Sequence, residues 1–203
     1  PEAALCGRRL YVPRGQVLGG SSAINGMVYI RGQREDYDNW AKLNGCSGWD
    51  YQQVLPFFKR SEQAAQGLNH NFHGFDGELP VTVPTYRYDS EQYFINACQQ
   101  QGLAFNSDFN GESQAGVGFF QTTIANGKRH SSAKAFLSRA VRARKNLTIL
   151  TGARADQLLW QTGSISGVSF WHRGQCKQAV LSNKSHAEVI VCAGSIATTC
   201  LLQ

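Results

Sequence analysis

The chain has 203 residues, 42% of them apolar and 17% charged, with a formal net charge of +6. That balance describes one or two globular domains with a real core, and excludes a disordered or low-complexity chain. No apolar run approaches the ~20 residues a membrane span needs, and the basic residues are too scattered for a nucleic-acid patch.

The first residues, Pro1-Glu2-Ala3-Ala4, have neither an initiator Met nor the basic and apolar regions of a signal peptide. They are expected to lie inside a longer protein. Pro13 to Val28 then carries a Gly19-Gly20-Ser21-Ser22 run and an Asn25-Gly26 turn. Paired glycines let a backbone approach a ligand closely. Successive N–H groups in such a run are expected to form a nest for phosphate oxygens, helped by a following helix start. Ser21 and Ser22 add hydroxyls, and Asn25 an amide that donates and accepts. On composition alone, a plain connecting loop explains the run equally well.

Glu35, Asp36 and Asp38 fall at a predicted helix start, where compensation of the helix dipole explains them better than acid–base chemistry does. Asp50, with Gln53 three residues on, is a capping-box pattern that opens a helix from Tyr51. Pro56 is expected to kink or delay that helix. Trp40, Trp49, Phe57 and Phe58 are read as helix packing in preference to a substrate entrance. His70 and His73 stand three apart with no third ligand at suitable spacing, so they read as loop residues and not as a metal site. No metal is expected.

From about Leu79 to Ala125 the chain mixes strand-like segments with one helix, predicted to open at Ser90 and close at Gly102. A further helix is predicted from Ser132 through about Arg142, with Phe136, Leu137, Ala140 and Val141 on one stripe. The densest basic group, Arg139, Arg142, Arg144 and Lys145, sits at its C-terminal end and complements the dipole. Leu147–Thr151, Ala155–Trp160, Ile165–Trp171 and Gln178–Ser182 read as strands of an antiparallel meander, punctuated by Gly163 and Gly174. Glu188–Cys192 reads as a buried strand leading through Ala193-Gly194-Ser195 into a helix, a βα unit. The six cysteines form no C-x-x-C pair, and Cys192 and Cys200 sit in apolar, core-like contexts, so reduced thiols are expected.

The order of residues says more than composition. Pro13-Arg14-Gly15 through Val28, continuing as Tyr29-Ile30-Arg31-Gly32-Gln33, resembles the first signature of the glucose–methanol–choline oxidoreductases, FAD-dependent enzymes that oxidise alcohols. The resemblance continues through Asp36-Tyr37-Asp38-Asn39-Trp40, Gly48-Trp49, Phe72-His73-Gly74 and Gly77-Glu78-Leu79. It resumes at Asp108-Phe109-Asn110-Gly111, Gly116-Val117-Gly118, Asn146–Thr151 and Val189–Ser195, in family order over nearly the whole chain. It is closest to the branch of bacterial choline dehydrogenases and aliphatic alcohol dehydrogenases.

The resemblance implies an α+β fragment of a two-domain enzyme. Residues 1–78 and 146–203 would belong to the FAD domain, and residues 79–145 to the substrate domain. It places Gly20 and Ser21 on the pyrophosphate–ribitol side of FAD, Asn25, Gly26, Met27 and Val28 on the flavin side, and the backbone of Ala155 at the adenine. Ala155 stands where relatives have valine. Some choline-oxidising relatives bind FAD covalently through a His before the Asn. Ile24 occupies that position here, so the FAD is expected to be non-covalent. No G-x-G-x-x-G is present, and no His matches the family's catalytic His. Both are expected outside this chain, so no residue here is nominated as catalytic. The chain alone is expected to be inactive and to bind FAD weakly or not at all.

The expected reaction of the intact enzyme is hydride transfer to the flavin from a primary alcohol, choline or an aliphatic alcohol, with a histidine outside this chain assisting loss of the hydroxyl proton, a quinone as possible acceptor and poor oxidase activity. Its expected location is cytoplasmic or peripheral to a membrane, and no nucleic-acid partner is expected. Two alternatives stay open: an FAD-containing hydroxynitrile-lyase type relative, and a non-catalytic folded remnant.

Overall fold

The computed structural model describes residues 4, 6–182 and 186–203. It forms two compact units, Pro1–Leu147 and Thr148–Gln203. Both mix helix and strand, as the α+β reading requires.

In the first unit, residues 6–14 are exposed, and the chain then enters a 3-10 turn at Gly20–Ala23. β1 (Val28–Tyr29) follows, then α1 (Arg34–Lys42) and α2 (Tyr51–Ser61). The Asp36 carboxylate accepts from the N–H of Gln33 at 2.8 Å, capping α1 as the dipole reading expects. Asp38 accepts from the N–H of Tyr51 at 3.1 Å, tying α1 to the start of α2. Asp50 caps α2 by accepting from the N–H of Gln53 at 3.1 Å. Pro56 does not delay α2, which runs unbroken from Tyr51 to Ser61. The cap and the buried Tyr51 and Val54 hold the helix across the one lost backbone bond. Tyr37 packs on Trp40 and Phe58 with ring centroids 5.4 and 5.6 Å away, and Trp40 reaches Trp49 at 6.1 Å. Phe57 lies outside that cluster and is exposed.

α2 leads directly into β2 (Glu62–Ala64), which pairs in parallel with β3 (Leu79–Val81). The loop between them folds back against α2 so closely that a Cβ at Gly74 would overlap the carbonyl oxygen of Lys59. Gly74 is also tied through its N–H to Glu62 and through its carbonyl to the N–H of Ala64. Gly74→Ala is therefore expected to destabilise this unit by about 1–3 kcal/mol, because backbone must move to admit the methyl. Urea unfolding of the intact protein measures it; a midpoint equal to the wild type's would show that the loop yields freely.

α3 spans Asp89–Gln100. It starts earlier than the Ser90 cap predicted, because the Glu91 carboxylate reaches back to the N–H of Tyr88 at 3.0 Å and makes Tyr88 the boundary. Its end at Gly102 is as expected. β4 (Gln121–Thr122) pairs antiparallel with β1, and β5 (Ile124–Ala125) with β6 (Lys128–Arg129). The helix predicted over 132–142 is two short ones, α4 (Ser132–Phe136) and α5 (Arg139–Arg142). Ser138 causes the break: its hydroxyl accepts from the N–H of Val141 at 3.3 Å, starting a new helix instead of continuing the old one.

In the second unit β7 (Ala153–Gln161), β8 (Ser164–His172) and β9 (Gln175–Val180) form the predicted antiparallel meander. Thr162-Gly163 and Arg173-Gly174 take positive φ at both central positions, the two-residue turn that matches strand twist. Two predicted strands do not form. Leu147–Thr151 finds no neighbouring strand among the described residues, and Leu150 is exposed. Glu188–Cys192 also runs unpaired, with Ile190 76% exposed. A continuous apolar strand needs cover on both faces, and the described residues of this unit supply none. The helix after it does form, as α6 (Ser195–Leu202), with the N–H of Thr198 bonded to the carbonyl of Gly194. Cys192 and Cys200 are accordingly exposed, not core.

Candidate functional site

The segment expected to meet the cofactor forms one braced loop in the first unit. Gly19 and Gly20 both take positive φ, and the chain then closes the 3-10 turn. The N–H of Gly20 bonds Val17 and that of Ser22 bonds Gly19. Those two donors are thus spent inside the turn, and the expected nest of successive free N–H groups does not form there. The Ser22 hydroxyl accepts from the N–H of Ser132 at 2.9 Å and lies against the Ser132 hydroxyl. Ser21 is exposed, and its hydroxyl accepts from the N–H of Gly15 at 3.4 Å.

Asn25 organises the far side of the loop. Its Oδ1 accepts from the N–H of Met27 at 3.1 Å and from Arg129 Nη1 at 2.7 Å. Both partners are donors, which fixes the amide orientation and leaves Nδ2 with no hydrogen-bond partner among the described residues. Met27 is held at φ 63, a left-handed conformation that costs a non-glycine residue of order 1–3 kcal/mol. Thr123 secures it by donating its N–H to the Met27 carbonyl at 2.8 Å. Gly26 and Val28 are exposed beside it. Ala155 lies in β7 of the second unit, exposed and paired with Phe170, next to a register shift.

Behind this loop lies a cluster of charges that sequence reasoning missed. The largest fully buried side chains of the first unit are His73, Glu62 and Val81. Glu62 accepts from Arg31 Nη2 at 2.6 Å, from His73 Nδ1 at 2.9 Å and from the N–H of Gly74 at 3.2 Å. The other ring nitrogen of His73 meets Asp108 Oδ2 at 2.9 Å. Asp108 also accepts from Gln121 Nε2 at 2.9 Å and from the N–H of Asn110 at 3.0 Å. Asn110 donates to the carbonyl of Tyr29 at 3.1 Å and accepts from the N–H of Arg31 at 2.7 Å. Two cations and two carboxylates thus balance when His73 is protonated.

Burial works against a charged His73, but its hydrogen bonds and proximity to Asp108 and Glu62 outweigh it and lift its pKa to about 9. Burial likewise opposes charge on Asp108, and the bonds from His73 and Gln121 overcome it, holding the carboxyl below its ordinary range. A raised imidazole pKa stabilises the fold fully below its unfolded value of 6.5 and loses that contribution as pH rises through about 9. Asp108 works in the opposite direction, its contribution vanishing as pH falls below 3.8. Unfolding in urea at a pH of about 6 and of about 9.5 is expected to differ by about 2 kcal/mol, the higher pH being less stable. That is less than the shift alone implies, since the Asp108 side chain keeps 17% exposure and solvent screens it. Equal stability at both pH values would show that folding leaves the His73 pKa unchanged.

Among the described residues no group of His, Cys, Asp or Glu is arranged to hold a metal ion. His130 Nδ1 is buried without a hydrogen-bond partner among the described residues, in the segment that carries Arg129, and burial together with Lys134 lowers the pKa of that imidazole.

The family model for GMC oxidoreductases matches residues 3–203. The chain belongs to the GMC oxidoreductase family. Its GMC relatives include the oxygen-dependent choline dehydrogenase 1 of Chromohalobacter salexigens, 42% identical over 206 residues, which cover all of this chain and 36% of that protein. The alcohol dehydrogenase (acceptor) of Pseudomonas putida is 39% identical over 202 residues, again all of this chain and 36% of the relative. Among solved structures, pyridoxine 4-oxidase from Mesorbium loti superposes with a TM-score of 0.77 at 32% identity, over 82% of this chain and 33% of that one. An FAD-dependent oxidoreductase from Chaetomium thermophilum gives 0.79 at 28% identity, over 89% and 33%. The chain therefore spans about a third of the length of the GMC proteins it matches.

Proposed function

We propose that the intact protein is an FAD-dependent dehydrogenase of primary alcohols, choline or an aliphatic alcohol. In this reading residues 1–78 and 146–203 belong to its cofactor domain and residues 79–145 to its substrate domain. The observation that carries the reading is the braced Gly19–Val28 loop of a GMC chain, strained at Met27, with an Asn25 amide fixed through Oδ1 whose Nδ2 has no partner among the described residues. Strain of this kind persists where surrounding contacts over-determine it, and it clusters at ligand sites.

The residues present fit a flavin nucleotide. A Cβ at Gly20 or Gly26 would meet no atom of the chain, so the loop backbone is open to close approach. Ser21 offers a hydroxyl on the pyrophosphate–ribitol side, and Asn25 Nδ2 a donor on the flavin side. Met27 and Val28 supply apolar contact, and the Ala155 backbone serves the adenine. With Ile24 before Asn25, FAD is held without a covalent bond. When bound, the flavin supplies the acceptor for the hydride of the alcohol. The chain's own work is to bind, orient and donate one fixed hydrogen bond.

The test is anaerobic addition of choline or a primary aliphatic alcohol to the purified intact protein. Bleaching of the flavin absorbance supports the reading. A yellow protein that no alcohol bleaches would make it a non-redox GMC relative of the hydroxynitrile-lyase kind. A colourless protein unable to take up FAD would make it a remnant. The acceptor is a separate matter: the sequence-based expectation favours a quinone, which would bring the enzyme to a membrane surface, whereas several relatives are named oxygen-dependent. Peroxide formed per alcohol oxidised, with and without an added quinone, decides between the two.

A further inference from the structure

We propose that His73 is a positioning residue for the flavin-side loop, acting as an imidazolium clamped between Glu62 and Asp108. The inference rests on the functional reading above and adds to it a residue that touches neither cofactor nor substrate.

Geometry requires the protonated ring. Each His73 nitrogen faces a carboxylate oxygen at 2.9 Å. A carboxylate only accepts, so both nitrogens must carry a proton for both bonds to exist. The His73 and Glu62 side chains are wholly buried, so no water can substitute for the contact between them without opening the core. Each neighbouring element brings its own charge to the ring. Glu62 comes from β2, Asp108 from the loop after α3, and Arg31, from the segment after β1, lies on the far oxygen of Glu62. Tyr29 receives Arg31 Nε at 3.4 Å, and Lys59 of α2 bonds the carbonyl of His70 nearby. The raised pKa of His73 agrees with this arrangement.

The clamp leads to the loop by a continuous set of bonds. Asp108 holds Gln121, and Gln121 accepts from the Asn110 amide. Asn110 in turn holds Tyr29 and Arg31. Gln121 and Thr122 pair with Tyr29 and Val28, and Thr123 fixes the strained Met27. Without its proton, His73 keeps at most one of its two carboxylates. The other then faces a bare ring nitrogen, lone pair against lone pair, with only its remaining donors to hold it, so Asp108 or Glu62 shifts. Movement at Asp108 releases Gln121, and with it the strand pair that ends in Met27. The loop should then lose its exact pose above the pH at which His73 deprotonates.

The experiment uses the intact flavoprotein carrying 15N-labelled histidine, together with Asp108→Asn. In the wild type, both His73 nitrogens are expected to show protonated shifts at neutral pH and to titrate near 9. Asp108→Asn keeps the shape but removes one carboxylate charge. It is expected to move the alkaline limit of alcohol-dependent flavin reduction down by about one pH unit or more, in step with the His73 titration. A residue that merely fills space would leave that limit where it was. A His73 ring with one unprotonated nitrogen at neutral pH overturns the clamp, and needs no variant to fold. So does an Asp108→Asn profile that superimposes on the wild type's. In both cases a wild type that still carries flavin and bleaches leaves the functional reading standing. A wild type that takes up no flavin defeats the functional reading itself, whatever the ring's protonation.

Discussion

Glu62→Ala is expected to destabilise the first unit by about 3–5 kcal/mol, the range for removing one partner of a buried charge pair. Glu62 is fully buried and accepts three hydrogen bonds, from Arg31, His73 and the N–H of Gly74. Truncation leaves a guanidinium, an imidazolium and a backbone N–H facing a cavity. Arg31 retains the Phe72 carbonyl at 2.7 Å, and His73 retains Asp108, which is why the loss is not larger. Glu62→Gln should fall between the wild type and Ala: its carbonyl serves one donor while its amide faces another. Urea unfolding of the three proteins at neutral pH measures the series. A Glu62→Ala protein within 1 kcal/mol of the wild type would mean that the network is already solvated in solution.

The parts of the fold that sequence revealed are those governed by neighbours in the chain. Asp50 caps α2 because its partner, Gln53, is three residues away. The turns at Gly163 and Gly174 follow from two-residue loops between alternating strands. Misreadings arose where a local signal competed with another local signal or needed a distant partner. Ser138 resembles any helix-interior serine until its hydroxyl is seen to start a second helix. Glu188–Cys192 has the composition of a central strand, but composition cannot supply the strands on either side. Cys192 and Cys200 were misplaced for the same reason.

The charge cluster was illegible for a stronger version of that reason. Arg31, Glu62, His73, Asp108 and Gln121 are separated by 11 to 35 residues along the bonds that join them. No periodicity links them, and each alone reads as surface. The nearest thing to a signal is Phe72-His73-Gly74 within the family resemblance, where the local spacing of His73 reads only as a loop residue. It does lie in a loop. What decided its character is the parallel pairing of β2 with β3, which wraps that loop over Glu62 and takes it out of solvent. The Gly19–Val28 loop is a mixed case. Its position and its Gly-Gly-Ser-Ser and Asn-Gly elements were legible, while the strain at Met27 and the bond from Arg129 to Asn25 were not, since Arg129 lies 104 residues away.

Asn25→Ala in the intact enzyme is expected to reduce turnover by about 10²–10³-fold, equivalent to ~2.7–4 kcal/mol at the transition state, with much less effect on folding. The two halves of the Asn25 amide have different work. Oδ1 is bonded to Met27 and Arg129, while Nδ2 has no partner among the described residues. On the flavin side of the proposed site, that Nδ2 N–H is a fixed donor for charge that develops during the reaction. Asn25 is exposed, so losing its two Oδ1 bonds costs the fold only about 1 kcal/mol each. Asn25→Asp separates the two roles. It keeps an oxygen for Met27 and Arg129, and should unfold like the wild type, but it replaces the Nδ2 donor with an acceptor and should turn over as poorly as Ala. Thermal midpoints and kcat for the three proteins, each saturated with FAD, give the comparison. If Asp were to match the wild type in kcat while Ala failed, the Oδ1 bonds and not the Nδ2 donor would be what turnover needs. If both variants turned over normally, Asn25 would have no part in the chemistry.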